Sequence, residues 1–281
     1  YGLLYKVVSE VGKLQDSRVL ESLFKLLKSD KVENDDIHLQ RIKAGLRAKS
    51  AQVLGELGDA NATLPLIDVL QNDSDEKVRQ SAVEALSKLK DAQAVDPLID
   101  ALVNDDDIEV RISVASALCE LRDVRALEPL IETLQSSDNY RLRLEVITAL
   151  AIFEDKRVVD LLNAILESDS NLTLRSRAAM VLGDLKDKPS EVNLRHALYN
   201  DTSAEVRHYA LLALYKLEVS LHKELKSFDD KKVIDLLSAV LSSRFALEEK
   251  VQSVEVLRLM EHPMAQEAVR RWDDGDYSFL G

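Results

Sequence analysis

The chain is poor in the residues that build anything other than helices. Its 281 residues include 8 Gly and 5 Pro, far below ordinary usage of roughly 7% and 5%. That scarcity excludes a turn-dense all-β chain and a Gly-rich flexible one. A single Cys excludes a disulfide framework and a cysteine-based zinc site, and it fits a reducing compartment. Positive charge is also short: 37 Lys+Arg stand against 50 Asp+Glu, a net charge of −13. This argues against nucleic acid as a partner, because phosphate neutralisation needs a basic footprint. No apolar run approaches the ~18 to 20 residues of a membrane span, and no signal-peptide pattern is present. The expected location is the cytoplasm, or the plastid stroma if a transit peptide was removed ahead of Tyr1.

What the chain does have is periodicity. An Arg recurs at Arg47, Arg79, Arg111, Arg143, Arg175 and Arg207, always 32 residues apart. An Asp keeps the same register at Asp59, Asp91, Asp123, Asp155 and Asp187, and a Leu at Leu54, Leu86, Leu118, Leu150, Leu182 and Leu214. At both ends the step lengthens to 43, from Asp16 to Asp59 and from Asp187 to Asp230. Each end therefore carries an insertion, one around Lys28 to His38 and one between Leu217 and Asp230. The expected organisation is a single stack over 1–281: an N-terminal half-repeat at 1–15, seven repeats over 16–261, and a C-terminal capping helix and tail at 262–281.

Each repeat holds two helical phrases. In the unit that starts at Asp91, Ala94 to Val103 places apolar residues at helical spacing, with Pro97 in the first turn, where its missing N–H costs little. Asn104 to Asp107 then forms a turn and supplies cap oxygens to the next helix. The second phrase keeps Val110, Val114, Ala117, Leu118 and Leu121 on one face. Neither helix can bury its stripe alone, so neighbouring units must stack into a continuous core. The predicted fold class is all-α, an α-solenoid of antiparallel helix pairs.

The phrases Leu54-Gly55-Glu56-Leu57-Gly58-Asp59, Leu66-Ile67-Asp68-Val69-Leu70 and Val78-Arg79 resemble HEAT repeats, most closely the short subset named after the phycobilisome lyases. The resemblance runs along nearly the whole chain. It implies that the recurrent acids and bases form a hydrogen-bonded ladder, Asp59, Asp91, Asp123, Asp155 and Asp187 with Arg79, Arg111, Arg143, Arg175 and Arg207, and that this ladder is structural. The subset includes bilin lyase subunits and plain scaffolds. The early Tyr- and Trp-rich segment of the lyases has no counterpart, since the one Trp is Trp272. The di-iron deoxyhypusine hydroxylase branch needs His-Glu dipeptides, and none of His38, His196, His208, His222 or His262 precedes a Glu.

Other chemistry is sparse. Cys119 and His208 lie three units apart, so packed helices at ~8 to 10 Å would separate them by roughly 25 to 30 Å, beyond the reach of a nucleophilic dyad. Cys119 instead occupies a column held elsewhere by Gly55, Ser87, Ala151 and Gly183. The run Asp105-Asp106-Asp107 with Glu109 lacks the Gly and ligand spacing of a Ca²⁺ loop and reads as a capping turn. No catalytic residue, metal ligand or cofactor is expected.

The face of the second helices that HEAT solenoids turn to their concave groove changes character along the chain. With each Arg as zero, positions +1, +2, +5, +8 and +9 are polar early on, as in Gln80, Ser81, Glu84, Lys88, Ser113, Ser116 and Glu120. They become apolar later, at Leu144, Ile152, Met180, Tyr209, Leu212 and Tyr215, with His208 alongside. Exposed apolar patches with Tyr and Met mark interaction sites. The expected function is a non-enzymatic scaffold or adaptor that binds another protein there. The alternative is a bilin lyase subunit or other chromophore-handling, phycobilisome-associated factor, with a tetrapyrrole in the same patch. Two further segments stand out. One is the locally basic Leu221 to Lys226 with Lys231 and Lys232. The other is the aromatic tail from Trp272 through Tyr277 and Phe279.

Overall fold

A computed structural model of the chain describes residues 6, 8, 10, 20–28, 37–217, 225–226, 228–242 and 247–275. Among these the regular elements are all helices, and the chain divides into two compact units, Tyr1–Phe153 and Glu154–Gly281. The first holds α1 (Leu20–Leu27), α2 (Ile37–Leu57), α3 (Thr63–Asn72), α4 (Glu76–Leu89), α5 (Val95–Asn104), α6 (Ile108–Leu121), α7 (Leu127–Ser136) and α8 (Tyr140–Leu150). The second holds α9 (Lys156–Ser168), α10 (Leu172–Asp184), α11 (Glu191–Asn200), α12 (Ala204–Lys216), α13 (Lys231–Ser242), α14 (Leu247–Leu259) and α15 (Pro263–Asp273).

One repeat shows why these residues fold this way. The Asp91 carboxylate accepts the N–H of Gln93 at 3.0 Å and opens the short 3₁₀ turn Ala92–Ala94, which leads into α5. At the end of α5, Asp105 is extended and accepts the Asp107 N–H at 2.9 Å. Asp107 in turn caps α6 by accepting from Glu109 and Val110 at 2.9 and 3.1 Å, leaving fewer of that helix's first N–H groups unmet. The second helix ends on Arg122 in the left-handed region, φ 53°, as α4 ends on Lys90 and α2 is followed by Gly58 at φ 69°. A cation there faces the negative end of the helix dipole.

In the first unit α2, α4, α6 and α8 pack successively as one layer, and α3, α5 and α7 as the other. The Leu column of the 32-residue period is the seam: Leu54, Leu86, Leu118 and Leu150 are all completely buried, each contributing about 1.5 to 3 kcal/mol of burial. In the second unit α10 packs on α12 and α9 on α11 in the same way, with Leu182 and Leu214 completely buried. Within each unit the architecture is the all-α stack of helix pairs that the periodicity requires. Among the described residues no helix is long and apolar enough to cross a membrane.

The second unit then departs from the pattern. Arg79, in the first turn of α4, bonds Asp105 at the far end of the next first helix, and Arg175 bonds Asp201 at the end of α11 in the same way. Arg207, in the first turn of α12, bonds Asp230, the residue just before α13. Phe228, just before α13, meets Tyr199 near the end of α11, edge to face at 6.4 Å. The start of α13 therefore lies where earlier first helices finish, so α13 runs in the opposite sense to α9 and α11. The segment between Leu217 and Asp230 is the second insertion. Its residues 218–224, including Leu221 to Glu224, lie outside the described residues, as do 29–36 of the first insertion, most of 1–15, and the tail from Asp276 onward.

Candidate functional site

The arginine column is structural, but its partners differ from those expected. Arg47 forks onto Asp73 through Nε and Nη2 at 2.6 and 3.0 Å, with both side chains buried, at 7% and 6% exposure. Arg79 forks onto Asp105 at 2.8 and 2.8 Å, and Arg175 onto Asp201 at 2.8 and 2.9 Å. Each of these acids stands 26 residues after its arginine and ends a first helix. A third nitrogen of Arg79 and of Arg175 holds the carbonyl of its own turn, Asp73 and Asp169 respectively. The ladder is therefore made by the column Asp73, Asp105 and Asp201, with Asp230 standing in at the last rung.

Asp59, Asp91, Asp123, Asp155 and Asp187 are not rungs, which corrects the expectation drawn from the HEAT resemblance. They accept backbone N–H groups from Asn61, Gln93, Arg125, Arg157 and Ser190. The reason is axial distance: Arg79 and Asp91 sit 12 residues apart, at opposite ends of α4, and about 1.5 Å of rise per residue separates them by roughly 18 Å. Arg111 and Arg143 each donate through Nε to a carbonyl, Leu102 at 2.7 Å and Leu134 at 3.2 Å.

In the expected groove face, the second unit places Met180, Tyr209 and Tyr215 half-buried on α10 and α12. His208 and Leu212 are buried, at 4% and 5% exposure. This removes both from the expected contact surface: α12 is packed by α10, α11, α13 and α14, so α13 and α14 fill space that an open groove would leave. Tyr215 holds the column of Gly55, Ser87, Cys119, Ala151 and Gly183, where small side chains admit a neighbouring second helix. Leu144 and Ile152 are half-buried in the first unit.

His208 stacks on Tyr209, ring centroids 5.0 Å apart at 19°, and its Nε2 is buried without a hydrogen-bond partner. Burial lowers its pKa to about 4 from 6.5, so the ring is neutral at pH 7. The unfolded chain takes up this proton more readily, so the associated stability is complete above pH 6.5 and is lost as pH falls toward 4. We expect this single group to cost roughly 3 kcal/mol across that window, and His208→Phe to flatten it. Urea midpoints measured near neutrality and in mild acid check this; an unchanged slope in the variant would refute it.

Ladder carboxylates add a second, lower acid sensitivity. Burial pushes Asp201 and Asp230 up, but hydrogen bonds from Arg175 and Arg207 override it and hold both below the usual range. Their contribution is present above the ordinary carboxylate pKa and is lost as pH drops through the folded value. Cys119 is half-buried, and burial, then the Glu145 charge, raise its thiol pKa, which makes it a poor nucleophile. Among the described residues no three His, Cys, Asp or Glu side chains converge as a metal would need.

The second unit also carries a groove of about 800 Å³ lined in part by Val159, Leu185 and Pro189 together with Asp155, Asn163 and Asn193. Asn193 donates to Asn163 at 2.9 Å, Asn163 to Ser190 at 2.7 Å, and Ser190 to Asp187 at 2.6 Å. The column alignment carries a signal for this network: Asn163 replaces Ile67, Ile99 and Ile131, Asn193 replaces Pro65, Pro97 and Pro129, and Ser190 replaces Ala62, Ala94 and Ala126.

Repeated helix pairs, a shared leucine seam and an Arg–Asp ladder define an α-helical repeat protein. Residues 39–118 and 95–183 match the family of HEAT repeats, and the chain belongs to the HEAT-repeat family. No curated protein matches it. Among solved structures it is similar to the complex of CpcE and CpcF of phycocyanin lyase from Nostoc, with 20% identity over 92% of this chain and 88% of that one, TM-score 0.45. It is also similar to human deoxyhypusine hydroxylase in complex with glycerol, with 19% identity over 92% and 96% of the two chains, TM-score 0.31. A computationally designed self-assembling cyclic homooligomer shares 14% identity over 98% and 99%, TM-score 0.18. Likeness of this degree carries no functional argument.

Proposed function

We propose that this HEAT-repeat protein is a non-enzymatic scaffold that binds a partner protein through the second-helix face of its C-terminal unit. The observation that supports this reading is the pair of half-buried tyrosines on α12, Tyr209 and Tyr215, with Met180 on α10. The columns they occupy are filled by polar or small residues in earlier repeats. A Tyr body offers large contact area at low entropic cost, and its hydroxyl keeps a polar handle at an interface. Leu144 and Ile152 extend the proposal to the equivalent face of the first unit.

Partner capture from the native host, with mass spectrometry and then measured affinity, provides the test. Tyr209→Ala with Tyr215→Ala should weaken binding at least tenfold while the thermal midpoint of the chain stays within a few degrees. Gln80→Ala, on the polar stretch of the first unit, should change nothing. Equal affinity in the double tyrosine variant would sink the assignment. A shifted absorption spectrum on mixing with a free bilin would replace it with chromophore handling.

A further inference from the structure

One rung of the ladder in the first unit is incomplete, and the residue that leaves it so is a serine. Asp73, Asp105 and Asp201 each end a first helix with an extended backbone, and each accepts the N–H two residues on, at 2.9, 2.9 and 2.7 Å. Ser137 ends α7 with the same extended backbone, φ −81° and ψ 132°, and its Oγ accepts the Asn139 N–H at 3.2 Å. It stands 26 residues after Arg111, the spacing that joins Arg47 to Asp73, Arg79 to Asp105 and Arg175 to Asp201. No carboxylate stands at that spacing from Arg111, and its Nε donates to the Leu102 carbonyl.

The surroundings also favour an oxyanion here. Helix α8 has no acid in its first turn, whereas α4 and α6 carry Glu76 and Glu109 there, and its cap is the uncharged Asn139 rather than Asp75 or Asp107. The positive end of α8 thus meets less negative charge than its counterparts do. Arg141 in that turn pairs with Glu109 of the preceding repeat. Ser137 is half-buried between the exposed Ser136 and Asp138, in the turn joining α7 to α8. The Asp138 charge, being exposed, is largely screened by solvent and salt.

We propose that Ser137 is a phosphorylation site whose phosphate completes the Arg111 rung. A serine kinase would join Ser137 Oγ to the γ-phosphorus of ATP as the bond from that phosphorus to the β–γ bridging oxygen breaks. The hydroxyl proton goes to the kinase's base, and ADP leaves. The new group carries about −1.5 to −2 charges at neutral pH and accepts the guanidinium fork as the aspartates do. Modification would tie α6 to the turn that follows α7, so that a charge on one serine sets how firmly two consecutive repeats are coupled.

Two measurements test it. Incubation of the whole chain with ATP and an extract of its native host should add one phosphoryl group to the peptide containing Ser136 and Ser137. The addition should be lost in Ser137→Ala and kept in Ser136→Ala; no addition, or addition to Ser136 alone, overturns the proposal. The chain carrying genetically encoded phosphoserine at 137 should melt roughly 2 to 4 °C higher than the unmodified chain. The gain should shrink as pH falls through about 6, where the phosphate takes up its second proton. Arg111→Gln should abolish it. A gain that persists without Arg111, or is matched in the unmodified chain by free phosphate, overturns the rung.

Discussion

Replacing Asp73 with Ala should cost about 3 to 5 kcal/mol of stability, the usual penalty for leaving one member of a buried ion pair without its partner. Arg47 and Asp73 are nearly sealed from solvent, and the guanidinium fork has both carboxylate oxygens to itself apart from the N–H of Asp75. Once the carboxylate is gone, Arg47 remains buried among α2 and its neighbours with its charge uncompensated. Urea unfolding of the chain should show the midpoint falling with the slope unchanged. Asp73→Asn should fall between the two, since an amide oxygen still accepts from Asp75 and from one guanidinium nitrogen.

Two companion variants make the result specific to the rung. Arg47→Met combined with Asp73→Ala removes both charges and should recover most of the loss, because hydrophobic replacements of a complete buried pair are often close to neutral. Asp59→Ala removes an exposed cap that accepts the backbone N–H and the side-chain amide of Asn61 and should cost ~1 kcal/mol. Equal losses for Asp59→Ala and Asp73→Ala would restore the ladder expected from the HEAT resemblance and overturn the Arg47–Asp73 rung.

The misassignment shows what periodicity can and cannot report. Two aspartate columns share the 32-residue period, and the one containing Asp59 and Asp91 is unbroken, whereas the other is interrupted by Ser137. Regularity marks a position as necessary without saying for what. The distinction lies in three dimensions, because Asp91 and Arg79 sit at opposite ends of α4 while Asp105 returns to the same end through α5. The buried Leu and Ala stripes were legible because a helix can bury only one side against each neighbour, and that side has a fixed spacing. The reversal of α13 was not. Asp230-Lys-Lys-Val-Ile-Asp-Leu-Leu copies the start of α9 almost residue for residue, so local propensity is identical. What sets α13 apart is the tertiary contact of Asp230 with Arg207, which local propensity does not encode.

The same limit explains the candidate site. Helical spacing put His208 and Leu212 on the face of Tyr209 and Tyr215, and it cannot know that α13 and α14 both close on α12. The tyrosines stay half-buried at their edges, while His208, next to Tyr209 in sequence, is buried with an unpartnered nitrogen. An interior histidine without a partner is tolerated only as a neutral ring. Acid sensitivity in this unit is therefore a by-product of covering a face that earlier repeats leave polar.

Gly183→Ala should destabilise the chain by about 1 to 3 kcal/mol, although alanine is the better helix former by ~1 kcal/mol. A β-carbon at Gly183 would lie 2.7 Å from the Cα of Ala213 and 2.8 Å from its Cβ, closer than carbon atoms pack. The nearest obstacle is backbone, so no rotamer change relieves it and α10 and α12 must separate. Separation opens the completely buried seam between Leu182 and Leu214, and the lost contacts outweigh the propensity gain. Gly55 stands in the same relation to Ala85 across α2 and α4, at 2.6 Å from its Cα, and Gly55→Ala should behave alike. Ala213→Gly should fail to rescue Gly183→Ala, because removing the Cβ leaves the Cα in place. Full rescue would mean that side-chain bulk alone spaces these helices. A Gly183→Ala chain more stable than the parent would mean that the repeats slide apart freely, and that the small-residue column has no role in how second helices stack.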